Sequence, residues 1–364
     1  MTFAWDPYAA ERAGERFTEL AGNSEYLNTM VYEHVESWNG GGLLDLLVIH
    51  HQKLARELGL SAGCTPAMLT RLTTNLDDVA ALYQASDNDA AVRIDRAWDT
   101  MGYDVPASGD ADLERHGGEG YDFGTDLPSQ RTPQPGDFTI QDFVNTILGL
   151  PGSLAVPGGA PDHPVLREIW RAIVQDSRKE IEAIATLLSG DWDGVYRAGD
   201  AMCGAGDHWR ELGDATRHAA GTLYRHWNGD ASEFAERFTS MICDLYTEAG
   251  ADITDCGLQY KAHAHGCYLL FGEITSILGE IPDLMHALFM LIDAADRSTL
   301  PTAVPLPTVL GAIYRTITQI FDKLGDTIDL VRKVLYLVEA VVAIVLAAVP
   351  LFADYSNKMR GALD

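Results

Sequence analysis

The residues best suited to metal chemistry fall within twelve positions: Cys256, His263, His265 and Cys267. Thiolate and imidazole are zinc ligands, and a zinc site draws each of them to within about 2.3 Å of the ion. On a helix Cys256, His263 and Cys267 share a face, but seven residues of helix rise about 10 Å, so the three cannot converge on one ion. They are expected to be core residues on a long stripe, and no metal site is expected. His50 and His51 are neighbours and point about 100° apart on a helix. Adjacent carboxylates would serve general acid–base catalysis, and Asp77-Asp78 is the candidate pair. They precede Val79 on what should be a solvated face, away from the concave site such chemistry needs. The chain carries no G-x-G-x-x-G after a strand, no P-loop and no H-E-x-x-H. The expectation is a protein that is not an enzyme and uses no cofactor.

The elements that would position any site are helical. From Val309 to Val349 the apolar residues Leu310, Ile313, Ile317, Ile320, Leu324, Ile328, Val331, Leu335, Val338, Val342, Val345 and Val349 step by three or four, a coiled-coil-like seam. Phe234, Phe238, Met241, Leu245 and Ala249 do the same after Asp230, and Ile253, Cys256, Tyr260, His263 and Cys267 extend the stripe. A third helix runs from His163 through Leu188, with Leu166, Trp170, Ile173, Ile181 and Ile184 as its apolar positions. Near the start, helices are expected over 9–37 and 43–60, and a further one after Thr65-Pro66, with Thr65 as N-cap and Pro66 at the first helical position. No stretch alternates with period two. The fold class is all-α: an elongated helical bundle built from two helical-hairpin domains with long antiparallel helices.

Composition divides the chain. Between Asp104 and Asp137 it is rich in Gly, Pro and Asp, which reads as a linker. The organisation expected is a helical hairpin over 1–103, an acidic Gly/Pro-rich linker over 104–137, a long-helix domain over 138–300 and a C-terminal apolar helix over 301–364. Lys and Arg total 26 against 53 Asp and Glu, a net charge of -27. A surface that neutralises phosphates needs clustered Lys and Arg, so nucleic acid is not an expected partner. The start of the chain has no basic n-region and no apolar h-region, so no secretory signal peptide is read there. Five cysteines, an odd number, make no disulfide framework.

With seven tryptophans and 34 glycines in 364 residues, Gly two positions after Trp is expected less than once by chance. It occurs three times: Trp38-Asn39-Gly40, Trp192-Asp193-Gly194 and Trp227-Asn228-Gly229. The third stands where a helix ending at RHW meets one starting at DASEF, with Asp230 and Glu233 spaced as N-cap and N3 of a capping box. Trp there would close the end of the bundle, and Gly would allow the positive φ of the turn. The second motif is Tyr83-Gln84-Ala85-Ser86-Asp87. Tyr-x-x-x-Asp/Glu spacing is common by chance, but this copy follows LTTNLDDVAAL on the last turns of an amphipathic helix, with Asp87 on the face of Tyr83.

Helix, Trp-x-Gly turn, helix and a Tyr-x-x-x-Asp tail together resemble the WXG superfamily of type VII secretion substrates, which includes the PE and PPE proteins. NLDDVAALYQASDNDAA is similar to the carboxyl end of PE-like hairpins. LLSGDWDGVYRAGDAM and LYRHWNGDASEFAERF resemble the larger WXG domains of secreted toxin and channel-type proteins of high-GC Gram-positive bacteria. The resemblance implies that Tyr83 and Asp87 form a secretion signal, that Trp227 and Gly229 form the hairpin tip, and that the two come together at one end of the bundle. It implies a type VII secretion ATPase or chaperone as partner, with a small WXG protein or a second copy of the chain as further candidates. It also implies a secreted or cell-surface location reached without a signal peptide. The insertion GGLLDLLVIHHQKLARELG after Trp38-Asn39-Gly40 departs from the plain PE hairpin.

One rival reading comes from 334–352, VLYLVEAVVAIVLAAVPLF, nineteen residues with the single charge Glu339. That length borders on a membrane span, and Arg332 and Lys333 flank one side, Lys358 and Arg360 the other. Either the stretch continues the seam from Leu310 into a buried helix, or it inserts into a membrane as part of a pore. Glu339 at mid-bilayer would cost about 2.5–3.5 kcal/mol on insertion scales, which favours burial.

Overall fold

The computed structural model describes residues 4–84, 121–136, 140–153, 164–297 and 306–363, together with Arg93. The chain is all-α. Its helices are α1 (Pro7–Thr29), α2 (Asp45–Gln84), α3 (Ile140–Ser153), α4 (Pro164–Leu188), α5 (Trp192–His226), α6 (Asp230–Gly279), α7 (Ile281–Arg297) and α8 (Leu306–Leu363). Two strands of two residues each, β1 (Ala4–Trp5) and β2 (Trp227–Asn228), pair antiparallel with Trp5 opposite Trp227.

Local chemistry sets the helix starts. Asp6 caps α1, its Oδ1 accepting the Tyr8 N–H at 3.0 Å, and Pro7 follows at the first helical position, where a missing N–H costs nothing. Asp191 caps α5 by accepting the Gly194 N–H at 2.8 Å. The α6 start differs from the expected capping box. Gly229 is the N-cap, with φ 140°, and Asp230 and Glu233 lie in the first turn, where carboxylates favour the helix N-terminus.

Two further expectations are corrected. No helix begins at Pro66: α2 runs unbroken for 40 residues with Pro66 inside it. Thr65 is no N-cap but a buried helical residue whose Oγ1 donates to Ser61 O at 3.0 Å. Trp209 Nε1 donates to the same Oγ1 at 3.0 Å and the Tyr246 hydroxyl donates to Thr65 O at 3.1 Å. These contacts from α5 and α6 hold the backbone where proline removes a helix bond. In α8 the seam keeps its expected register at Ile313, Ile320, Leu324, Val331, Val338 and Val345, but Val309, Val334 and Val341 take the buried places expected of Leu310, Leu335 and Val342. Leu310 and Ile328 are exposed.

Helices α5 and α6 form the most extensive pair, with α8 packed on α2, α6 and α7, and α1 packed on α2 and α5. One apolar cluster runs through α1, α2, α5, α6 and α8. Residues 121–136, within the Gly/Pro-rich stretch, form neither helix nor strand and lie anchored across α1 and α5. Phe123 is buried there.

Candidate functional site

The antiparallel turn of α5 into α6 projects Trp227 back toward the start of the chain, and the β1–β2 pairing brings Trp5 against it. The two indoles meet edge to face with centroids 5.1 Å apart. Tyr83, on the last turn of α2, also meets Trp5 at 5.1 Å and edge to face. Trp227 is 2% exposed and Tyr83 7%. Trp5 is thus the joint between the two sequence motifs. Sequence reasoning missed it, because a lone Trp before the first helix carries no periodic signal.

Polar groups rim this end. The Tyr121 hydroxyl donates to Asp6 Oδ2 at 2.6 Å and holds the Asp6 carboxyl below the ordinary carboxylate range. Tyr121 also meets Tyr8 edge to face at 4.9 Å and stacks on His226 at 4.8 Å. Ser232 Oγ donates to Trp227 O at 2.8 Å. The Nε1 atoms of Trp5 and Trp227 are buried and have no hydrogen-bond partner among the described residues. A cavity of about 60 Å³ opens beside Trp227, walled by Phe17, Leu76, Val79, Leu223, Phe234 and Phe238. Next to it Tyr224, fully buried, shares a 2.9 Å hydrogen bond with Thr239 Oγ1.

The three Trp-x-Gly copies do not do the same work. Only Trp227 and Gly229 form a tight helix–helix turn with a positive φ at the glycine. Trp192 opens α5, is buried, donates from Nε1 to Leu188 O at 2.8 Å and meets Phe271 edge to face. Gly194 is helical, and a Cβ there would come within 2.5 Å of Trp38 Cβ. The first and second copies therefore pack on each other. Gly40 has no positive φ; Gly41 and Gly42 do. A Cβ on Gly42 would come within 2.3 Å of Leu187 O, so the segment after Trp38 seats directly on the end of α4. Trp38 also lies 4.8 Å from the buried His51 ring. Since α5 spans about 50 Å, this cluster and the Trp227 cluster stand at opposite ends of the helix.

Asp87 lies outside the described residues. The same Tyr-x-x-x-Asp spacing recurs at Tyr196 and Asp200, and there it is engaged: Asp200 is buried and receives Lys261 Nζ at 2.6 Å, Arg131 at 2.9 Å and the Gln134 N–H at 2.9 Å. Burial alone would raise the Asp200 carboxyl, but these donors hold it below its ordinary value.

Among the chemical candidates, Cys256 and Cys267 are buried in the core, and burial pushes both thiols up to about 12. His263 Nδ1 donates to Gln259 O at 2.7 Å. Among the described residues no group of three or more His, Cys, Asp or Glu is placed to hold a metal ion. Asp77 and Asp78 are exposed on α2.

No protein-family model, no curated protein and no solved structure matches the chain.

Proposed function

We propose that the chain is a non-catalytic type VII secretion substrate that acts through protein–protein contacts or self-assembly outside the cytoplasm. The observation that carries this reading is the junction at Trp5, which meets both Tyr83 and Trp227 at 5.1 Å. The resemblance to WXG proteins implies such a meeting, and the motifs lie 144 positions apart in the sequence. The apolar cavity beside Trp227 suits this end to receive a partner's apolar side chains. The secretion ATPase or chaperone is the partner proposed there.

The test is export from a host that carries a type VII system. Asp87→Ala is expected to abolish the protein in culture filtrate with unchanged amounts in the cells. Tyr83→Ala is read beside a thermal melt, because Tyr83 is also a packed residue. Normal filtrate levels of Asp87→Ala would end the secretion-signal reading.

A second reading, membrane insertion or pore formation by α8, is favoured by one observation. The stretch Thr308–Leu363 is long and apolar enough to cross a membrane, and only 22% of its most apolar 18-residue window is buried. Leu335, Tyr336, Val342, Leu346 and Leu351 lie partly or wholly exposed on its outer side, together with Glu339. Under this reading the purified chain releases dye from liposomes and Val342→Arg stops the release. Intact liposomes with the wild-type chain exclude it.

A further inference from the structure

Residues 121–136 cover one side of α5, and the covered side carries His208, His218 and His226. We propose that this segment is an acid-released strap whose centre, at Ser129, stays down only while His208 is neutral.

The argument starts from atoms. His208 Nδ1 lies 3.0 Å from Ser129 O. A carbonyl only accepts, so Nδ1 carries the hydrogen and Nε2 presents a lone pair. The His208 side chain is 0% exposed, and its Nε2 has no hydrogen-bond partner among the described residues. A proton arriving at Nε2 places a cation where nothing accepts its hydrogen, and the stable response is to let water in. Lifting the strap does that.

The groups facing His208 come from three elements. From α1, the Tyr26 ring lies 4.8 Å away, its hydroxyl accepting the Arg131 N–H at 2.9 Å. From the strap comes Arg131, whose guanidinium is turned to Asp200. From α5 comes Glu211, the carboxylate that favours protonation, with its oxygens already bonded to Ser129 N at 2.5 Å and Ser129 Oγ at 2.9 Å. Burial outweighs Glu211 and the Ser129 contact, and holds the imidazole below its ordinary value. With the strap lifted, His208 meets water and returns to about 6.5. The lifted state therefore binds more protons, so docking is at full strength above that pH and weakens as pH falls below it.

The ends of the strap respond differently. His218 Nε2 stands 3.9 Å from Asp122 Oδ1, and His226 stacks on Tyr121 near Asp6, so protonating either adds attraction. Asp122 is 81% exposed, which screens its pair. At the other end Asp200, held below its ordinary range, stays ionised and keeps Arg131 and Gln134. The opening is a bulge around Ser129 between two retained anchors.

The experiment is amide hydrogen exchange on the full chain from about pH 7 to about pH 5, corrected for intrinsic rates. The Ser129 amide, bonded to Glu211, is expected to lose about tenfold in protection while α5 and α6 keep theirs. His208→Asn, whose amide nitrogen takes the place of Nδ1 as donor to Ser129 O and does not titrate, is expected to stay protected at both pH values. Unchanged protection in the wild type, or equal loss in His208→Asn, overturns the proposal. Should that variant fail to fold, ring-carbon NMR of wild-type His208 decides. A midpoint below 6.5 that coincides with strap opening supports it, and titration without any change at Ser129 overturns it.

Discussion

His51 donates from Nε2 to Val35 O at 2.6 Å, so its Nδ1, 2.9 Å from the Tyr260 hydroxyl, is the acceptor. Both partners suit the neutral ring, and burial lowers the imidazole to about 4. Unfolded, the same ring titrates near 6.5, so the unfolded chain binds the extra proton between those values. Stability from this residue is therefore fully present above about pH 6.5 and is lost as pH falls toward about 4, by up to about 3 kcal/mol. Urea midpoints followed by core tryptophan fluorescence should be flat above neutrality and fall across that window, with the slope reduced in His51→Gln. Side by side in sequence, His50 and His51 gave no hint of this difference. What separates them is that His51 faces both Val35, in the π-helical segment Met30–Val35 that follows α1, and Tyr260 of α6, a relation fixed only by packing.

At the scale of elements, α5 and α6 touch through glycine. A Cβ on Gly199 would lie 2.7 Å from Gly257 O, one on Gly206 2.5 Å from Gly250 O, and the reverse pairs are as close. Gly206→Ala would also place its methyl 2.1 Å from Thr254 Oγ1. Since one of those neighbours is backbone, the helices must part, and a loss of about 1–3 kcal/mol is expected, read as a lower melting temperature. The presence and type of the long helices were legible from three-four spacing, because burial of one stripe is what selects a helix period. Register was legible only in part in α8: Ile313, Ile320, Leu324, Val331, Val338 and Val345 are buried as expected, whereas Leu310 and Ile328 are exposed, and Leu310, Tyr314 and Phe321 form a second apolar stripe beside the buried one. Periodicity alone cannot say which of two neighbouring stripes finds a partner. Pro66 misled for a related reason: a local rule places it at a helix start, and contacts from α5 and α6 override that rule. The Trp227 and Tyr83 motifs were readable, but the residue that joins them was not, since its partners are distant in sequence.

For the molecule as a whole, the continuous apolar cluster predicts joint unfolding. Helix α2 leans on α8 and α1 on α5, so neither end of the sequence completes its own core. Circular dichroism and tryptophan fluorescence are expected to give one coincident thermal transition. Two separated transitions would show that the hairpins are stable alone. The two-residue strand pair, small as it is, bears on the order of events during synthesis. Trp5 leaves the ribosome well before its partner Trp227, which follows 222 positions later. Contacts of such separation form late. Until α5 and its turn have emerged, the indole of Trp5 has no Trp227 to meet, and Tyr83 lacks the finished wall around it. A receptor that recognises this end therefore discriminates by maturity: nascent and truncated chains lack the assembled surface, and only a polypeptide translated past Asn228 displays it.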